Sequence, residues 1–485
     1  MTDVGIFEWP PVASFIDREE HLARLDEWWG GAQELPINLH GRRRTGKSWL
    51  FRRFAHGKPA IILVARKAAA GKQLKDFAEQ LEGALGIRPD IPDVPTLFRV
   101  LLRSARDRRI LAVIDEFPYL LPRSKTDTDR VLSAIAAVLE DERDHSLLKL
   151  VLSGSTTAVM TSLQQEKNPM YGRLTPLVLR PLEYEKATAF LTTLEPIGRF
   201  ERYAISGGMP RYLSLLGDGD LRTTICRRIL DQNAPLFNEV RTSIEQELIQ
   251  SGTYFSILEI LAGGAKETAE IAAAMQSKLS EVTNYLSTLH DVGLVERENP
   301  FGALAGSKSG HWRLTDPFFA FWFRFVYPFQ DSLESGLPPF DLFDSEVAPA
   351  LSQLVSIVFE DWARRWTRMH LGPVATTVGR WWGRSLDSLR KSGERTSEEI
   401  DIVGAARSRV NVVGEAKWRA GAMRADVVKE LDEFKIPALR QAGFKVSGEL
   451  KIVLMSKNGY APGLERLAES DDRLILVDVP AQLAP

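Results

Sequence analysis

Residues 37–48 read Ile37-Asn38-Leu39-His40-Gly41-Arg42-Arg43-Arg44-Thr45-Gly46-Lys47-Ser48. A short apolar run meets a segment that fits G-x-x-x-x-G-K-[ST] at every fixed position, and an amphipathic stretch, residues 50–56, follows. Strand, glycine-rich turn and helix in that order make a phosphate-binding loop. The glycines let backbone N–H groups turn toward phosphate oxygens, and the helix N-terminus adds partial positive charge. Gly41, Arg42, Arg43, Arg44, Thr45, Gly46, Lys47 and Ser48 are therefore the expected ATP-binding residues. Lys47 is expected to reach the β- and γ-phosphates and Ser48 to bind Mg2+.

Downstream, Ile110-Leu111-Ala112-Val113-Ile114-Asp115-Glu116 is an apolar run closed by two acids. Asp115 is expected to hold Mg2+, usually through water, and Glu116 to polarise the attacking water. The run 148–152 ends in Ser153-Gly154-Ser155-Thr156. A polar side chain there, Ser153, can touch the γ-phosphate or the lytic water; a simple turn fits equally well. Arg173, in Met170-Tyr171-Gly172-Arg173, is a candidate to stabilise transition-state charge, in cis or from a neighbouring subunit. An ordinary surface arginine fits that position as well.

From about residue 14 to 230, buried-strand runs at 37–40, 60–64, 110–114 and 148–152 alternate with helical stretches at 50–56, 73–85, 94–106 and 129–140. That alternation predicts a parallel sheet covered on both faces. Residues 254–261, 268–275 and 279–291 have helical spacing, and strands follow at Gly293-Leu294-Val295 and Trp312-Arg313-Leu314. Three helices and a hairpin are the order of a winged helix-turn-helix. Lys266, Lys278, Arg297, Lys308 and Arg313 could face phosphates. Glu270, Glu281, Asp291, Glu296 and Glu298 weaken that case, and use of the module for protein packing stays open. Prolines, glycines and acids at 330–350 suggest a boundary.

Near the C-terminus, Glu399-Ile400-Asp401-Ile402-Val403 and Gly414-Glu415-Ala416-Lys417-Trp418 place D-x13-E-x-K on two runs expected to form a hairpin. Strand alternation puts Glu415 and Lys417 on one face. Pairing can set Asp401 beside them, and Glu360, on a helix at 351–370, can add a carboxylate. Glu360, Asp401 and Glu415 are the candidate Mg2+ ligands, and Asp401, Glu415 and Lys417 the candidate catalytic group: metal activates water while Lys417 orients it or neutralises charge. A solvated strand with a Glu–Lys pair fits the same spacing. Further strands are expected at 374–380, 451–455 and 474–477, and a helix at 425–435 that Pro437 would end.

The 485 residues are too many for one core. Apolar content of 44%, charged content of 26% and a formal charge of −2 are ordinary for a soluble globular protein and argue against a wholly basic nucleic-acid sleeve. The single cysteine, Cys226, excludes an intramolecular disulfide framework and a cysteine-based zinc cluster. The N-terminus lacks a basic segment followed by an apolar one, and no run of about 18 apolar residues exists, so a cytoplasmic protein without membrane association is expected.

The set Phe15-Ile16-Asp17-Arg18-Glu19, GRRRTGKS, IDEFPYL, LSGS, MYGR and Gly207-Gly208-Met209-Pro210-Arg211-Tyr212-Leu213 resembles the archaeal-type AAA+ ATPases, near the STAND-like branch, that end in a DUF234-like domain. The resemblance spans nearly the whole chain. It implies an α/β protein: a P-loop NTPase parallel sheet (1–180), a helical lid containing the GGxPxYL segment (181–240), a winged helix-turn-helix (241–330) and a small restriction-endonuclease-like α/β domain (345–485). The D…ExK pattern resembles the PD-(D/E)XK nuclease core, with Ile400 where the usual proline stands. The implied function is ATP binding and hydrolysis in association with double-stranded DNA, with a Mg2+-dependent nuclease domain. The alternative is a STAND-like nucleotide-controlled switch that oligomerises, binds a protein partner and cleaves no nucleic acid.

Overall fold

The computed structural model describes residues 15–32, 34–248, 251–304, 307, 309–386 and 397–484. It forms two compact units: Met1–Leu182 with Met209–Arg211, and Glu183–Gly208 with Tyr212–Pro485.

In the first unit, β1 (Ile37–His40), β2 (Ala60–Val64), β3 (Ile110–Asp115), β4 (Leu148–Gly154) and β5 (Thr175–Val178) form one parallel sheet in the order β2-β3-β4-β1-β5. The continuous apolar runs exist because both faces are covered. On one side α3 (Ala70–Leu85), α4 (Val94–Ser104) and α5 (Lys125–Glu142) bury Phe77, Leu81, Phe98 and Ile135 against the sheet. On the other, α1 (Glu19–Gly30) and α2 (Lys47–Ala55) bury Trp28, Leu50, Phe51 and Phe54. The four expected strands are present, and β5 is additional. It is short and mostly exposed, with Pro176 inside it, and a proline is tolerated there because β5 is an edge strand. The order sets β1 between β4 and β5, and β3 beside β4. The loops leaving the carboxyl ends of β1, β3 and β4 therefore converge on one crevice, where ligands of open α/β sheets bind.

The second unit begins with short helices. Pro196–Ser206 ends at Gly207, whose φ of 63° is left-handed and favours glycine. A Cβ there would lie 2.8 Å from Pro317 Cδ, so the position is a close helix-to-helix approach. Helices Ser251–Ala262, Thr268–Ala274 and Leu279–Asp291 follow, then the antiparallel hairpin of β6 (Val295–Glu298) and β7 (His311–Leu314), extended by a bridge from Lys266 to Trp312.

A second five-stranded sheet completes the unit: β8 (Thr377–Arg384), β9 (Ser397–Ala406), β10 (Arg409–Lys417), β11 (Val446–Ser456) and β12 (Leu474–Val477), in the order β12-β11-β10-β9-β8. β8, β9 and β10 are antiparallel, and β10, β11 and β12 run parallel. Two sequence expectations need correcting. The boundary expected at 330–350 is largely helical: Gln330–Glu334 is one short helix, and Pro339–Leu342, Phe343–Val347 and Ala348–His370 form one continuous helical run. That run is long and apolar enough to cross a membrane by length and composition. Its Leu354, Val355, Phe359, Trp362 and Trp366 are buried against β8, β9 and β10, as in a core helix. Pro437 does not end its helix either. A π turn at Leu431–Lys435, closed by Ile436 N–H donating to Leu431 O, precedes Ile436–Gln441 and loosens the ladder where proline removes a donor.

Candidate functional site

The phosphate loop is shaped by backbone conformations that its residues permit. Gly46 has φ 95°, in the left-handed region. A Cβ on Gly41 would lie 2.1 Å from Leu179 O, so only glycine fits there. Lys47 is buried, and its Nζ donates to Gly41 O (2.7 Å) and Arg42 O (3.0 Å) across the loop. Thr45 Oγ1 donates to Arg42 O (2.8 Å).

The two acids after β3 are locked in place. Ser48 Oγ donates to Asp115 Oδ2 (3.1 Å), and Ser153 Oγ donates to Asp115 Oδ1 (2.7 Å). Asp115 thus joins the phosphate loop to the end of β4. Glu116 sits at φ 53°, and its Oε2 accepts from Ser155 N–H (3.0 Å) and Ser155 Oγ (2.8 Å). Ser153 therefore orients Asp115, while Ser155 holds Glu116. Ser155 was in the quoted LSGS run but not singled out. Arg18 was likewise passed over: nearly buried, it donates to Thr45 O (3.3 Å) and Arg180 O (2.7 Å), fastening the loop from outside. Arg173 is not gathered into this cluster. Its hydrogen bonds go to the Glu140 carboxylate, Pro169 O (3.2 Å) and Tyr171 O (3.3 Å).

The second constellation lines a cavity of about 830 Å³ with Glu360, Arg380, Glu399, Asp401, Glu415, Lys417, Glu430 and Lys435. The expected hairpin is present, with Gly414 opposite Ile402. Asp401 Oδ2 accepts from Ala416 N–H (3.0 Å) and Lys417 Nζ (2.8 Å). Lys417 also stands 2.6 Å from Glu415 Oε2, as same-face alternation requires. The carboxylates that come together include one outside the expected set. Oxygens of Glu360, Glu399 and Asp401 lie within 4.8 Å of one another. Glu415 instead sits between two lysines, with Lys435 Nζ 2.7 Å from Oε1. Glu399, Arg380 and Lys435 were missed. Glu399 shares a strand face with Asp401 two residues on, and that signal was available.

Burial pushes the Glu360 carboxyl up to about 8, aided by the Asp401 charge. Burial, then Asp401, raises Glu415 to about 7. Burial also works to raise Asp401, but Lys417 overrides it and holds this carboxyl below its usual range. The raised Glu360 carboxyl favours its protonated form near neutral pH, and a cation bound there would have to displace that proton. Mn2+ affinity at this cavity is expected to climb between about pH 6 and 9 with proton release, measured by calorimetry in buffers of different ionisation heat. A flat profile without proton release would show that the carboxyls are already ionised.

The parallel sheet and its phosphate loop define a P-loop ATPase domain, joined to a mixed-sheet domain. Residues 15–216 match the family described as an ATPase domain predominantly from Archaea, and residues 322–430 match DUF234, archaeal and bacterial proteins of unknown function. The N-terminal part of the chain is thus similar to archaeal-type ATPase domains, and a C-terminal part to DUF234. An uncharacterized protein of Methanocaldococcus jannaschii is 28% identical over 84% of this chain and 88% of its own length. The Walker-type ATPase of Pyrococcus abyssi superposes with a TM-score of 0.51 at 19% identity, over 65% of this chain and 97% of that one. The ORC2 protein of Aeropyrum pernix covers 67% of this chain and 97% of its own at 16% identity, with a TM-score of 0.41, too low for any argument.

Proposed function

We propose that this chain is an AAA+ type ATPase that hydrolyses ATP, associates with double-stranded DNA and carries a Mg2+-dependent nuclease site in its C-terminal domain. The observation that carries the ATPase reading is the Ser48–Asp115–Ser153 web beside Glu116, set directly against the phosphate loop. The residues fit the groups. The Gly41 and Gly46 loop is a cradle that a Cβ at Gly41 would fill, and hydroxyl and carboxylate oxygens suit a hard cation. Ser48 and Asp115 would hold Mg2+, Lys47 would move from its carbonyls to the phosphates, and Glu116 would orient and deprotonate water. The bound metal supplies charge neutralisation on the phosphates. Ser155 keeps Glu116 ready without taking its proton. Arg173 would act only after leaving Glu140, or across a subunit contact.

In the C-terminal cavity, three hard oxygen donors from Glu360, Glu399 and Asp401 fit a divalent cation. Lys417 would orient water, and Lys435 would hold Glu415 in place. The three helices and hairpin support a winged helix-turn-helix, and the helices of residues 181–240 a lid.

A regulatory switch that binds a protein partner is the second reading, and a specific observation favours it. Arg313 is tied to Glu296 (2.6 Å) and Asp361 (2.8 Å), Lys266 stands 3.9 Å from Glu270, and Arg297 donates to Ser307 O (2.8 Å). Lys278 is exposed at a helix start and is the described member of the set without such a tie, and Lys308 lies outside the described residues. Little of the expected phosphate-facing set is free to meet DNA. The experiment is incubation of supercoiled plasmid with the full chain and Mg2+ or Mn2+. Metal-dependent nicking is the expected result. Intact plasmid, with ATP-dependent self-association or capture of a defined protein partner, would replace it with the switch.

A further inference from the structure

The β6–β7 hairpin and the acidic cavity lie in the same compact unit, and two chains of contacts tie one to the other. The first passes through β8, an edge strand. Phe301, in the loop after β6, donates its N–H to Arg380 O (2.7 Å) and sets its ring against Phe444 of the C-terminal core, 6.0 Å between centroids. A Cβ on Gly302 would fall 2.5 Å from the Phe444 ring, so the approach is as close as glycine allows. Beside it, His311 stacks on Trp382 at 4.7 Å and 9°, and Trp382 Nε1 donates to Ser309 O (3.1 Å). Arg380, fixed by this docking, turns its guanidinium to the cavity and grips Glu399 (Nε to Oε1, 2.5 Å). Its Nη1 stands 3.8 Å from Glu298 on β6. Glu298 Oε2 is buried without a hydrogen-bond partner, so the nearby charges, Arg380 at 3.8 Å and Arg313, are what compensate it.

The second chain starts from β7. Arg313 Nη1 donates to Asp361 Oδ2 (2.8 Å), and Asp361 Oδ1 accepts from Arg364. Arg364 Nη1 then donates to the backbone O of Asp401 (3.0 Å). Asp361 directly follows Glu360 on its helix. Both ends of the carboxylate set are thereby referred to the hairpin: Glu399 through Arg380, and Glu360 and Asp401 through Asp361 and Arg364.

We propose that the hairpin is a positioning clamp on the cavity, in which Glu298 and Phe301 act through Arg380, and Arg313 through Asp361, to set the carboxylates that hold a divalent cation. This rests on the reading of the cavity as a metal site. Such indirect partners orient ligands and tune affinity. With Glu298 neutral, the whole Arg380 charge falls on Glu399 and Glu360 and competes with the cation. With Phe301 shaved, the ring contact with Phe444 that seats the loop on the edge of β8 is lost, and the backbone bond from Phe301 N–H to Arg380 O is left to hold the loop without it. A partner that lifted the hairpin would therefore loosen the cation.

The test is Mn2+ titration of the full chain, followed by the loss of the free-ion electron paramagnetic resonance signal, in an Asp115→Asn background that silences the nucleotide-side cation site. Glu298→Gln and Phe301→Ala are each expected to weaken binding about 10- to 100-fold, and Phe301→Tyr to restore it. Glu298→Gln conserves shape, so it decides the matter alone if thermal melts show that Phe301→Ala does not fold. Equal affinity in the parent and both variants would overturn the clamp and leave the metal site standing. No Mn2+ binding by the parent would remove the metal site itself, and the clamp with it.

Discussion

Lys47→Ala should lower ATP turnover by about 100-fold or more, the scale of losing a fixed cation at developing phosphate charge. Lys47 is buried in the phosphate loop, and its ammonium can exchange the Gly41 and Arg42 carbonyls for phosphate oxygens. The change has a second effect. It deletes two charge-assisted hydrogen bonds across the loop, each of order 1.5–3 kcal/mol. Weakened nucleotide affinity should therefore accompany the lost turnover. Both are read from steady-state phosphate release and equilibrium binding of a fluorescent ATP analogue, with a melt to confirm folding. Turnover at the wild-type rate would mean that the loop is not where ATP is hydrolysed.

Asp401→Ala should abolish metal-dependent plasmid nicking and lower Mn2+ affinity by at least about 10-fold. Asp401 is the centre of its cavity: it is near the Glu360 and Glu399 oxygens and accepts from Lys417 and Ala416 N–H. Alanine also leaves the buried Ala416 N–H unmatched, at a cost of about 1–3 kcal/mol. Asp401→Asn, which keeps the shape, separates that cost from the lost charge. Nicking that persists in both variants would place the activity outside this cavity.

The nucleotide site was legible because its signals are local. A strand, a loop and a helix lie within twelve consecutive letters of INLHGRRRTGKS, and Asp115-Glu116 end another strand. What stayed hidden was pairing over distance. Nothing in Ser155 itself says that it will hold Glu116, because their meeting depends on β3 and β4 lying side by side. The cavity shows the same division. Asp401, Glu415 and Lys417 were readable from strand alternation, and Glu399 obeys the same rule. Arg380 comes from β8 and Lys435 from a helix far along the chain, so the two lysines that flank Glu415 could not both be read from strand alternation. Arg313 fits a phosphate-facing set by sequence, and its partner Asp361 lies too far along the chain to be read beside it. The 330–350 stretch reads differently for another reason. Pro339 opens the helical run, where a missing N–H costs nothing, and Pro349 follows the π turn Phe343–Val347, which loosens the ladder as at Pro437.

The most direct test of the ATPase assignment is phosphate release from ATP at low salt, with and without double-stranded DNA, for the wild type and Glu116→Gln. The geometry of Glu116, held by Ser155 beside Asp115, leads to release by the wild type that falls by about 100- to 10,000-fold in the variant, while ATP binding persists; a rise with DNA is what the proposed DNA association adds. Release that is equal in the wild type and Glu116→Gln would contradict it.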